Sequence, residues 1–139
     1  SKDSLLDGMV AHRIGVNRTF AVCHKKLKKR GQKFPDILNN IPYFSHPKDS
    51  SLSHEIELFF SKHSLTPKKI GEGDDIDLFE LITENAVGFT IVPEAAKLRF
   101  TLNPDIVVLG ELKELQTSVW GIVKKDYKGL GYQLLKGML

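Results

Sequence analysis

The spacing of apolar and polar residues changes period several times along the chain, and each change marks an element. Between Ile14 and Val22 the apolar residues Ile14, Val16, Phe20 and Val22 fall on alternate positions, the period of a strand with one buried face. Phe34 to Leu38 follows as a short helical turn opened by Pro35, and Ile41 to Ser45 as a buried strand closed by the turn residues "HPKDSS". Leu52, Ile56, Phe59 and Phe60 then recur at helical spacing in a segment reaching Ser64, with Ser50 and Ser51 as candidate N-caps. Leu58 widens that stripe, which predicts contact with more than one neighbour. Lys68 to Glu72 reads as a strand, Ile76 to Ile82 as a helix that Asn85 is expected to end in a left-handed conformation, and "VGFTIVP" as a short buried strand closed by Pro93.

Strand, helix, strand, helix, strand with short connections is the pattern of a parallel sheet covered by helices, so residues 41 to 97 are expected to form an α/β unit. Beyond it, Ile106 to Leu109 and Ser118 to Val123 read as strands. Tyr127, Leu130, Leu134, Leu135 and Met138 describe an amphipathic C-terminal helix weakened by Gly129, Gly131 and Gly137. The first strand and this helix carry apolar faces at opposite ends of the chain, and those faces need a partner, each other or something outside the sequence.

Composition narrows the class. The 139 residues are 41% apolar, enough for one conventional core, and the formal charge of +3 is too mild to imply nucleic acid by itself. The basic residues are nevertheless uneven: Lys25, Lys26, Lys28, Lys29, Arg30 and Lys33 fall within nine positions. With no aromatic residue interleaved for base stacking, a solvated turn is the simpler reading of that run. Cys23 is the single cysteine, which excludes an internal disulfide and fits a reducing compartment. No apolar run reaches the length of a membrane span and no signal-peptide pattern opens the chain, so a soluble cytoplasmic protein without membrane contact is expected.

Candidate chemistry concentrates where strands are expected to end. Asp74 and Asp75 stand between a strand and a helix; an aspartate there caps the helix and favours its dipole, while the alternatives are a metal site with Glu72 and Asp77 or an acid/base pair for a small hydrolase. The segment lacks the spacing and central glycine of an EF-hand loop, and His12, His24, His46, His54 and His63 include no pair four residues apart, so neither a metal nor a cofactor is expected. Cys23 and His24, adjacent in a strand, point to opposite faces and form no dyad. Ligands of open α/β sheets bind beyond the carboxyl ends of the parallel strands, which points to Ser45–Ser51 and Glu72–Asp75. Backbone N–H groups near Leu52, with the Ser50 and Ser51 hydroxyls, can hold an anionic group there.

The strings "PDILNNIPYFS", "SSLSHEIELFFSKHSLTPKKIGEGDDIDLFELITENAVGFTIVPE" and "VWGIVKKD", in that order, resemble the effector-binding domain of LysR-type transcriptional regulators. Within that family the Ser-x-Leu helix start and the G-E-x-D-D segment are similar to the branch of the sodium/proton-antiporter activator NhaR. The resemblance covers about residues 10 to 139. It implies a periplasmic-binding-protein-like α/β fold with a mostly parallel sheet flanked by helices, no enzymatic activity, and a small-molecule or ion effector bound in a cleft between two subdomains. It also implies a homodimer or higher oligomer, and DNA contact through a winged helix-turn-helix that this chain lacks. Residues 1–25 would be a remnant of regulatory subdomain I, residues 26–116 regulatory subdomain II, and residues 117–139 a strand and helix returning to subdomain I, so that the chain is expected to be a piece of a full regulator. The crossings between subdomains would fall near Lys25 to Lys33 and Leu115 to Val119, which would make the basic run a surface hinge segment and not a DNA footprint. Ser45, Pro47, Ser50, Ser51 and Asp74 are the expected effector contacts. The family's basic residues before the Ser-x-Leu start appear here as Lys48 and Asp49, which leaves the charge preference of the cleft open. A solute-binding protein of the same fold, and a small hydrolase using Asp74 and Asp75, are the competing readings.

Overall fold

The computed structural model describes residues 10–115 and 117–123. These fall into two units. In one, β1 (Val10–Asn17) pairs antiparallel with β7 (Thr117–Val123), so the strands near the two chain ends are each other's partner. Arg13 faces Trp120 and Gly15 faces Val119, which leaves Ile14 as an extra residue in a bulge. The predicted C-terminal helix lies outside the described residues.

The other unit, Arg18–Leu115, is an α/β layer structure. Its strands are β2 (Thr19–His24), β3 (Tyr43–Ser45), β4 (Lys69–Glu72), β5 (Thr90–Pro93) and β6 (Ile106–Glu111). β3 and β4 pair in parallel, and β3 runs parallel to the entry of β5 through Tyr43 and Phe89. β2 lies between β5 and β6 and is antiparallel to both. Four strands therefore share one direction and β2 opposes them, the mostly parallel sheet that the strand–helix alternation predicts. Helix α1 (Ser51–Lys62) and the 3-10 segment Asp36–Asn40 supply Ile37, Leu38, Ile56, Phe59 and Phe60 to one apolar cluster; α2 (Ile76–Glu84) and α3 (Glu94–Phe100) supply Phe79, Ala96 and Phe100 to the other.

Several expectations change in three dimensions. The run Ile14–Val22 is two strands in different units, broken at Arg18. That side chain makes a two-point bond to Glu111, with Nε at 3.1 Å and Nη2 at 2.9 Å, and Nη1 approaches Glu94 at 3.4 Å. Beyond the break β2 has no solvent face: Phe20 and Val22 enter one cluster and Ala21 and Cys23 the other. The central unit thus begins upstream of the Lys25–Lys33 segment, and β2 belongs to it although it precedes residue 26. Leu58 points to solvent, 54% exposed, so the wide stripe of α1 does not mean a second neighbour within this unit. Helix α3 leaves little periodic signal in the sequence, because its seven residues carry a single buried pair, Ala96 and Phe100, at helical spacing.

Helix ends give a further difference. Asn85 caps α2 with an ordinary φ of −92°, and its Nδ2 donates to the Leu81 carbonyl at 2.8 Å. The left-handed residue is the next one, Ala86, at φ 56°. Val87 N–H donates to the Ile82 carbonyl and Ala86 N–H to that of Thr83, the paired bonds of a Schellman turn. Ser64, also at φ 56°, ends α1 in the same way, with Leu65 donating to Phe60 and Ser64 to Ser61.

An L-residue with a side chain is strained there and glycine is not, so Ala86→Gly is expected to raise stability by about 0.5 to 1 kcal/mol in urea denaturation. Gly88→Ala is expected to do the opposite. A Cβ at Gly88 would stand 2.6 Å from the Pro42 carbonyl oxygen, which already accepts from Phe89 N–H at 2.8 Å, and overpacking of this kind costs about 1 to 3 kcal/mol.

Candidate functional site

Parallel strands deliver their following loops to the same end of a sheet, and β3 and β4 are parallel neighbours. Gly73 N–H donates to the Ser45 carbonyl at 3.0 Å and ties the two loops, 45–51 and 72–75, together. Ser45 is buried and its Oγ donates to the His46 carbonyl at 2.9 Å. The Pro47 carbonyl accepts from Ser50 N–H at 2.9 Å and closes a turn. Ser50, in extended conformation, is the N-cap of α1 and accepts from Ser53 N–H at 3.0 Å. Ser51 is the exposed first residue of the helix. Glu72 fastens the same loop from the side, its Oε1 accepting from Lys48 N–H at 3.2 Å and its Oε2 from Lys69 Nζ at 2.7 Å. The Lys69 bond, followed by that of Lys48, holds the Glu72 carboxyl below its ordinary pKa.

The two aspartates separate in role. Asp75 is the N-cap of α2, accepting from Asp77 N–H at 2.9 Å. Asp77 and Glu80 in turn each hold Arg99 of α3 at 2.7 Å, joining the two helices on that face. Asp74 is exposed, with no hydrogen bond among the described residues. No group of three or more His, Cys, Asp or Glu side chains among the described residues is placed to hold a metal ion. Of the expected contact residues, Ser45, Pro47, Ser50 and Ser51 gather in one loop and Asp74 in the loop tied to it. Ser45 and Ser50 spend their hydroxyls on backbone groups, which leaves Ser51 and Asp74 as the polar side chains open to solvent.

A residue that the sequence pattern passed over shapes the loop from beneath. His46 sets its ring edge-on to Phe79 at 4.6 Å and places Nε2 2.6 Å from the Ile91 carbonyl, so Nε2 carries the proton and donates. Burial lowers its pKa, with the bond to Ile91 opposing. Histidine spacing along the chain says nothing of this bond, because Ile91 lies 45 positions away on β5. Beside the loop, Lys48, Ser53, His54, Glu57 and Lys69 line a groove of about 450 Å³, whose charged rim also becomes visible only in three dimensions.

Neither a protein-family model nor a curated protein matches the sequence. Solved structures do. CbnR, a LysR family transcriptional regulator, superposes with a TM-score of 0.66 at 17% identity, over 86% of this chain and 43% of that one. The bromide-bound regulatory domain of HypT from Salmonella typhimurium gives 0.61 at 18% identity, over 88% and 58%. The effector binding domain of QuiR in complex with shikimate gives 0.59 at 13%, over 79% and 52%. The chain has the fold of LysR-type regulatory domains. It spans about half the length of the solved chains it matches. Among the described residues of this LysR-type fold no helix is long and apolar enough to cross a membrane.

The His46 environment makes a pH-dependent prediction. Its folded-state pKa lies below the unfolded value near 6.5, so the unfolded chain takes up the proton first as pH falls. The contribution of His46 to stability is complete above about pH 6.5 and declines as pH drops toward the folded-state value. Urea denaturation of the protein and of His46→Gln across this window is expected to show a shallower acid-side slope for the variant.

Proposed function

We propose that the chain is the effector-sensing part of a cytoplasmic LysR-type transcriptional regulator of the NhaR branch, a sensor and not an enzyme. Its effector is a small molecule or ion, held by Ser51, Asp74 and the backbone N–H groups that Ser45, Pro47 and Ser50 shape. The observation that carries this is the bond from Gly73 to Ser45, which joins the loops after two parallel strands in a fold shared with regulatory domains that bind bromide and shikimate. Ligand binding would shift the population of regulator conformations, and with it the arrangement of a homodimer or larger oligomer on DNA. DNA would be read through a winged helix-turn-helix elsewhere in the full-length protein. The NhaR branch rests on the Ser-x-Leu start at Ser50 and on the G-E-x-D-D segment, residues 71–75.

Heteronuclear NMR titration with small carboxylates and halides tests the site. Amide shifts are expected at residues 45–52 and 72–75, and Ser51→Trp should abolish them; saturable shifts confined to other segments would overturn the assignment. The sensor reading also predicts that Asp74→Asn and Asp75→Asn remove no turnover in hydrolase screens. Asp75→Asn should keep stability nearly intact because asparagine still caps, whereas Asp75→Ala should lose about 1 kcal/mol. Turnover that disappears with either asparagine substitution would favour the hydrolase.

A further inference from the structure

The loop that follows β2 carries the chain's whole positive excess. Of its 20 lysines and arginines, six stand between Lys25 and Lys33 with no acidic residue among them, so the remaining sequence holds 14 against 17 acids. The structure makes this run an ordered surface. Lys25 N–H donates to the Asp105 carbonyl at 2.7 Å, His24 Nδ1 caps Lys26 N–H at 3.1 Å, and the Lys33 carbonyl accepts from Ile37 N–H at 2.8 Å. Leu27 and Phe34 pack against the core at the two ends, Phe34 stacking on Phe59 at 6.3 Å. Gly31, at φ 84°, turns the chain between them without strain. The consequence is that Lys26, Lys28, Lys29, Arg30 and Lys33 are all exposed. Only Lys25 has a carboxylate partner among the described residues, Asp105 at 2.9 Å.

We infer that the Lys25–Lys33 loop is a contact surface for the phosphate backbone of duplex DNA, engaged without regard to sequence. Five exposed cations on a buttressed loop in an otherwise acidic chain attract a partner only where its negative charge is dense, and duplex DNA carries one charge per about 1.7 Å of axis. The loop has no aromatic side chain to stack on bases, so it makes the contacts that position a protein without specifying sequence. Its one apolar residue, Leu27, is turned toward the core, which leaves nothing to insert into a lipid surface. The choice of DNA over another polyanion rests on the regulator reading above.

Fluorescence anisotropy of the full chain on a labelled duplex and on its scrambled counterpart tests the inference. Binding is expected to be equal for both, and to weaken about 100-fold between about 50 and 200 mM salt, as contact with about four phosphates requires. Lys28→Gln/Lys29→Gln/Arg30→Gln should reduce the salt slope by about two to three and weaken binding at least about ten-fold at the lower salt. Lys68→Gln/Lys113→Gln, exposed lysines outside the loop, should leave both unchanged. Four results would overturn the inference: no binding at the lower salt, equal loss in the two variants, preference for one duplex, or tighter binding to phosphatidylserine vesicles than to duplex. Small-anion titration of the triple variant separates the two readings. Amide shifts at residues 45–52 that persist while duplex binding is lost belong to the effector site, and their absence in the unaltered protein counts against the sensor reading alone.

Discussion

Two-sided burial of β2 is the constraint on which the central unit depends. A strand with solvent on one face can pair with a sheet edge, but Phe20 and Val22 on one side and Ala21 and Cys23 on the other require cover on both. The sheet meets this by placing β2 between β5 and β6 and laying α1 over one face and α2 with α3 over the other. Each fully buried phenylalanine in these layers contributes about 1.5 to 3 kcal/mol from water exclusion alone, and Phe79, Phe89 and Phe100 are all in that state. The same dry environment pushes the Cys23 thiol up to about 11, so this cysteine packs as a small apolar residue and carries no thiolate chemistry near neutrality.

The candidate site is a consequence of that layering. Once β3 and β4 are fixed as parallel neighbours, their loops must emerge together, and short bonds do the rest: Gly73 to Ser45, Glu72 to Lys48, and His46 to Ile91. The serines and aspartate at the helix starts then serve the backbone. Ser50 and Asp75 each satisfy one N–H of a first helical turn, which leaves others facing outward beside Ser51 and Asp74. A loop built this way presents backbone dipoles beside two polar side chains open to solvent.

The buried threonine pair shows how polarity is handled inside the layers. Thr83 Oγ1 on α2 donates to the Phe79 carbonyl at 2.7 Å and so accepts from the Thr90 hydroxyl on β5 at 2.9 Å. Both side chains are fully buried, so this short chain of bonds fixes the helix against the strand where apolar contact alone would permit sliding. The surface pairs of Arg18 and Arg99 work at the rim of the same layers: Arg18, ahead of β2, holds Glu111 of β6 and Glu94 of α3, and Arg99 ties α3 to α2.

The sequence by itself determined the α/β class, helix starts at the Ser50–Ser51 and Asp74–Asp75 pairs, and the strands before them, because those features arise from local periodicity and from side chains bonding a few residues away. Even its failures at helix ends are local: glycine and asparagine are the usual left-handed residues, and the two Schellman turns use Ala86 and Ser64 instead. The tertiary structure alone decided that the run through Arg18 breaks into strands of two units, since residues 14 to 22 keep one alternation whether or not a distant Glu111 and Glu94 capture the arginine between them. It decided likewise that Leu58 is a surface residue, and that His46 reaches Ile91 and Gly73 reaches Ser45. Those pairings join residues separated by 45 and 28 positions, and hydrophobic period says which face of an element is apolar but not which other element will cover it.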